Sequence, residues 1–179
     1  MAKTFTTAKE RRSKADRNDP LGAAADAIAA RRVLRDCHAA LNELRLAAEG
    51  TEWRLRWVAV ITLLRVVGHV LKKVDGERSP YLASAIDANW AKVTAPGGGN
   101  EIFHDFIERE RNTILKEYDT SERLVAPVNA KSGPALGILV GTQIMKPLDA
   151  LRDAITWWER LLVRVETEAQ ALRVRDRRR

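Results

Sequence analysis

The chain predicts a mainly α fold: an up-and-down helical bundle of about five helices, with a small irregular or β-hairpin insertion before the last helix. Three observations carry this. Apolar residues recur three and four apart over long stretches, as one face of a helix requires. Helix-starting Pro, Ser, Thr or Asn and helix-stopping Gly or Pro bracket those stretches. Glycine and proline also gather in one region without helical periodicity, residues 119–145. A chain of 179 residues, 45% hydrophobic and 31% charged, is long enough for one core and too apolar for a disordered polymer.

Pro20 opens "PLGAAADAIAARRVLRDCHAALNELRLAAEG", whose alanines favour helix and whose Gly50 suits a stop, predicting a first helix over about 21–49. Thr51 is a cap for the second helix, with Glu52 adding negative charge to its first turn. That helix, "EWRLRWVAVITLLRVVGHVLKKVD", is apolar around nearly its whole circumference from Trp57 to Leu71, which predicts a central place in the bundle. Lys72 and Lys73 complement its C-terminal dipole, and Asp75-Gly76 is expected to turn the chain. Ser79-Pro80 starts a third helix that Pro96 stops.

"PGGGN" is a linker and no phosphate loop, because no Gly-Lys-Ser/Thr follows it. Asn100 caps a fourth helix over about 101–118. "RLVAPV" and "LGILVGTQI" are expected to pair as a hairpin across "NAKSGP". Pro147 starts the fifth helix, with Leu148, Leu151, Ile155, Trp158, Leu162 and Val165 as its core stripe. Trp157 points about 100° away from Trp158, so one of the pair is expected against a surface or a partner.

The net charge of +7 resides at the two ends. Residues 1–20 hold six Lys/Arg against three Asp/Glu, residues 173–179 hold five against one, and the remaining residues sum to zero. The expected organisation is a basic, disordered N-terminal segment (1–20), a helical-bundle domain (21–172) and a basic C-terminal tail (173–179). Such ends adhere to acidic surfaces through contacts that salt weakens, and net charge by itself gives a groove on the body no support. The start of the chain lacks an apolar run, and only seven residues, Val58 to Leu64, pass uncharged in the most apolar region, so no signal peptide or membrane span is expected. With Cys37 the sole cysteine, a cytoplasmic location is expected. His38 beside Cys37 has no evident partner for thiol chemistry, no zinc spacing occurs, and neither metal nor cofactor is implied.

The fourth helix, around "FIERERNTILKEY", carries charge in its seam. On a straight α-helix Phe103, Phe106, Ile107, Ile114 and Tyr118 span about 120° of arc, with Glu110 and Arg111 flanking the stripe. A half-buried guanidinium needs a carboxylate, a carbonyl, a partner subunit or a bound anion. Within the chain, Glu43, Glu52 or Asp75 are the expected carboxylates.

Arg111-Asn112 on the fourth helix, preceded by the apolar "RWVAVITLLRVVGHVLKK", resembles the HEPN superfamily of all-helical bundles. Many such domains are associated with RNA cleavage in toxin, antiviral and CRISPR-linked systems and typically act as dimers. The resemblance covers about residues 20–118 plus the last helix. It makes Arg111 the motif arginine and Asn112 the polar residue after it. The motif histidine is absent: its place near 115–117 is taken by Leu115, Lys116 and Glu117. Imidazole exchanges protons near neutral pH, whereas lysine is about four pK units too basic.

The resemblance therefore implies a non-catalytic or weakly active HEPN-like binding or regulatory domain, a cytoplasmic homodimer. In it Arg111 and Asn112 would face a groove that receives an acidic partner or RNA backbone. An alternative is a metal-independent endoribonuclease of toxin or antiviral type, with His104 or Lys116 as base beside Arg111 and Asn112. A second is a structural interaction protein whose Arg111 forms an internal ion pair. His104 and Glu108, four apart, lie near the Arg111 face of a straight helix, and His69 is expected in the core or an interface. Trp53, Trp57 and Tyr118 are the expected interface aromatics, with Arg54 and Arg56 beside the tryptophans.

Overall fold

The structure, a computed structural model, describes residues 25–95, 99–117, 123–125 and 135–178. Among the described residues five longer helices follow in order: α1 (Ile28–Leu46), α2 (Thr51–Val70), α3 (Pro80–Thr94), α4 (Arg109–Glu117) and α5 (Pro147–Asp176). Two wide π-helical stretches adjoin them, Leu71–Asp75 after α2 and Ile102–Glu108 before α4. Strands β1 (Arg123–Val125), β2 (Ala135–Val140) and β3 (Gln143–Met145) form an antiparallel sheet in that order. The expected hairpin is present, pairing Leu124 with Leu136. "LGILVGTQI" also folds back on itself, because Gly141 (φ 57°) permits a tight turn and pairs Leu139 with Ile144. No helix among the described residues is long and apolar enough to cross a membrane.

The core is aromatic at its centre. Trp57, Phe103, Phe106 and Trp158 are fully buried. Phe103 stacks on Trp157 at 5.1 Å and meets Trp90 edge-on at 5.2 Å and Trp158 at 6.3 Å. Trp157 is half-buried at the edge of the bundle and donates its indole N–H to Asn100 Oδ1 at 3.1 Å. Asn100 also donates to the Lys92 carbonyl, tying the end of α3 to α5. The glycine at 68 lets α2 approach α5: a Cβ there would lie 2.7 Å from the Trp158 ring.

Three expectations need correction. First, Ala25 to Ala27 are not helical, and α1 begins at Ile28 rather than near residue 21. Two distant carboxylates set that start. Buried Asp75 accepts from the N–H groups of Ala29 (3.0 Å) and Ala30 (2.8 Å), and Glu166 accepts from Ala27 N–H (3.0 Å). They supply the acceptors that Ala27, with no side-chain oxygen, cannot. Second, Asp75-Gly76 does not turn the chain: it stays helical through Arg78 and leaves at Ser79, whose hydroxyl caps α3 at Leu82 N–H. Third, α2 is not enclosed. Trp57, Val60, Ile61, Leu64 and Val67 face the core, while Leu55 is 54% exposed and Ala59 and Thr62 are exposed as well.

Glu166 also receives the Arg31 guanidinium, Nε donating at 2.7 Å. Burial pushes the Glu166 carboxyl up, but the Arg31 and Ala27 donors and the Arg31 charge outweigh it and hold the group below its ordinary value of 4.5. A carboxyl that ionises more readily when folded stabilises the fold fully above about pH 4.5 and loses that contribution as pH falls further. Urea midpoints measured across pH 3 to 6 should therefore fall more steeply for the parent chain than for Glu166→Gln.

Candidate functional site

Placing the seam of the fourth helix reassigns its charges. Buried positions Phe103, Phe106, Ile107, Glu110 and Ile114 make one stripe, with Glu110 fully enclosed inside it. Arg111 is half-buried at the side. The π-helical stretch Ile102–Glu108 takes more residues per turn than an α-helix, so His104 rotates away from the Arg111 face. Two separate concavities therefore lie one on each side of the Arg111-Asn112 pair.

The larger is a groove of about 400 Å³ between α2, its π-helical extension, α3 and α4. Arg65, His69, Lys72, Lys73 and Arg111 surround it, and Trp90 and Ile86 wall it on the α3 side. No carboxylate of the described residues lines it. The nearest ion pair is Lys72 with Asp87, 3.7 Å apart at the exposed edge. Arg111 donates to Asn112 Oδ1 at 2.8 Å. The carboxylates expected to neutralise it are used elsewhere. Glu43 and Glu52 both pair with Arg56 at 2.7 Å, and Asp75 caps α1. The internal ion pair of Arg111 with any of these three is thus not made. His69, expected in the core or an interface, is exposed on the groove wall.

The smaller concavity, about 300 Å³, is lined by His104, Glu108, Arg109, Asn112, Thr113 and Lys116. His104 Nε2 lies 2.9 Å from the Val93 carbonyl, which only accepts, so that nitrogen carries the proton. His104 Nδ1 lies 3.5 Å from Glu108 Oε2. The structure thus groups His104, Asn112 and Lys116 and leaves the Arg111 guanidinium in the other groove, with Asn112 touching both. No cluster of three metal-ligating side chains occurs among the described residues.

Of the aromatic candidates, Trp57 fills the core against Phe106 at 6.0 Å, and half-buried Trp53 stacks on Trp57 at 5.1 Å. Tyr118 lies outside the described residues. The Cys37 thiol is enclosed, and burial with the nearby Asp36 charge pushes it up to about 12, so it is protonated at neutral pH. His38 bonds instead to Glu159 at 2.9 Å.

Arg65, Lys72, Lys73 and Trp90 were missed as partners of Arg111. A signal was present: Arg65, His69 and Lys73 follow one another at intervals of four along a single helix face. Comparison of the chain with protein-family models, with curated proteins and with solved structures returned no match.

Proposed function

We propose that this chain is a HEPN-like binding module that receives RNA backbone in the Arg65–His69–Lys73–Arg111 groove without cleaving it. One observation carries the reading: a half-buried guanidinium with no carboxylate partner among the described residues, in a groove lined by cations and by no acid. Arg65 and Arg111, both half-buried, and the exposed Lys72 and Lys73 repel one another until an anion joins them. Phosphate oxygens spaced along a strand meet that need, and Arg111 presents a planar fork suited to one phosphate. Trp90 on the groove wall offers an aromatic edge beside the backbone path.

The assembly is a homodimer in this reading. Its support is the uncovered face of α2, where Leu55, Ala59 and Thr62 lead along the helix to Val66 and His69 of the groove. Small central residues allow a second helix to approach closely.

Anisotropy with a labelled single-stranded RNA tests the module. Affinity should weaken steeply between about 50 and 200 mM salt, and Arg111→Ala should weaken it about tenfold. Equal binding by the parent chain and Arg111→Ala would sink the groove. Light scattering after gel filtration reads the assembly, and a monomer at tens of micromolar protein would remove the dimer.

The second reading, a metal-independent endoribonuclease, is favoured by one observation: Asn112, His104 and Lys116 share a pocket directly beside Arg111. Against it, the imidazole already donates to Val93 and points away from the groove. RNA incubated with the parent chain, His104→Ala and Arg111→Ala decides it. Equal background from all three ends the nuclease reading.

A further inference from the structure

Taken along the sequence, the chain between its basic ends is neutral, so a polyanion-binding surface on the folded body has no compositional support. The fold sets the basic C-terminal end, which continues α5, beside the cationic groups at one pole of that body. Asp75 ties the π-helical end of α2 to the start of α1 through Ala29 and Ala30. Glu166 ties the last turns of α5 to the same start through Ala27 and Arg31. The Tyr81 hydroxyl, in the first turn of α3, donates to Asp176 at the end of α5 at 2.8 Å, with Arg173 and Arg177 within electrostatic reach. Four helix ends therefore meet at one end of the bundle.

That pole carries Lys72, Lys73, Arg78, Arg173, Arg175 and Arg178. The acids there are mostly engaged: Asp75 is buried, Glu166 holds Arg31, Asp176 accepts from Tyr81 and Asp87 faces Lys72. Asp26 and Glu77 are the exposed exceptions. Towards the opposite pole, where α1 ends and α2 and α5 begin, acids and bases are mixed: Glu43 and Glu52 pair with Arg56, and Asp149 with Arg152. Lys72 and Lys73 belong to both the pole and the groove, so the two surfaces are continuous.

We infer that the groove is the inner end of a cationic pole that binds the backbone of a single-stranded polynucleotide longer than the groove itself. This rests on the groove being an anion site. The groove seats the first phosphates at Arg111, and the strand leaves past Lys73 and Arg78 towards the end of α5. Each phosphate neutralised along that path releases counterions, which steepens the dependence of affinity on salt. A ligand confined to the groove gains nothing from the arginines at the end of α5.

The test compares labelled polyuridine strands of about 6 and about 20 nucleotides, a range that brackets usual single-strand site sizes. Proteins are the full chain, the triple variant Arg78→Gln/Arg175→Gln/Arg178→Gln, and Arg111→Gln, with circular dichroism as the check of folding. The long strand should bind the parent chain more tightly and with a steeper salt slope. The triple variant should flatten the long-strand slope by about 2, near 0.7 per lost contact, and leave the short strand unchanged. Arg111→Gln should weaken both strands.

If the triple variant changes neither strand while Arg111→Gln weakens both, the groove stands alone and the pole is overturned. Absence of binding to either strand overturns groove and pole together. Polyglutamate binding the parent chain as tightly as the long strand overturns the polynucleotide assignment in favour of an acidic protein.

Discussion

Replacing Trp158 with alanine is expected to destabilise the fold by about 3–5 kcal/mol, the range for truncating a fully buried large aromatic. Trp158 has no exposed surface, lies 4.9 Å from Trp157 and 6.3 Å from Phe103, and fills the space that Gly68 leaves on α2. For a domain of this size a loss of about 4 kcal/mol corresponds to a melting temperature lower by roughly 10 °C, measurable by circular dichroism. Trp158→Phe should cost much less, because it keeps most of the apolar volume and deletes an indole N–H that has no acceptor among the described residues. The reciprocal change, Gly68→Ala, puts a methyl group against the Trp158 ring and should cost about 1–3 kcal/mol by overpacking. Gly68 also lines the groove, so ligand affinity should fall along with stability for Trp158→Ala. A melting temperature for Trp158→Ala within a degree or two of the parent would contradict this account of the core.

Asp75→Ala is the second large effect. Both Asp75 oxygens accept from the first turn of α1, Ala30 N–H being buried and Ala29 N–H partly so. Removing the carboxylate leaves those donors unsatisfied, and hydrogen bonds to a charged group contribute about 1.5–3 kcal/mol each. Allowing for water reaching Ala29, the expected loss is about 2–4 kcal/mol in urea unfolding. Asp75→Asn retains one acceptor and turns a donor towards the other N–H, so it should fall between the parent and Asp75→Ala. The amides of Ala29 and Ala30 should exchange faster in both variants, which amide hydrogen exchange reads residue by residue. Unchanged protection at those two amides would show that another group caps α1.

The helices were legible because their signals are local. Ser79-Pro80 starts α3 as its residues dictate, and Leu151, Ile155, Trp158, Leu162 and Val165 face the core as their spacing requires. The start of α1 was not legible from its neighbourhood, because its acceptors come from Asp75 and Glu166, 45 or more residues away. The seam of the fourth helix was misjudged for a related reason. Glu110 falls between Phe106 and Phe103 even on an ideal wheel, about 20° from Phe103, yet its charge argued for an edge position. The π-helical stretch Ile102–Glu108 then rotated His104 out of the Arg111 face, and nothing in "IFHDFIE" announces a wider turn.

Amino-acid sequence by itself determined the class of fold, the five helices, the hairpin before the last one and the singling out of Arg111. Each of these follows from periodicity, capping chemistry and the cost of a guanidinium near an apolar stripe, all of which act within a few turns of chain. Tertiary structure alone decided which charges share a space. Arg65, His69, Lys72 and Lys73 face Arg111 across a groove, and the ends of α1 and α5 meet the π-helical end of α2 at one pole. Charge acts through space over several ångströms, without regard to sequence distance. Residues 173–178, which the sequence sets apart as a basic end, are thereby carried by α5 to the pole that adjoins the groove.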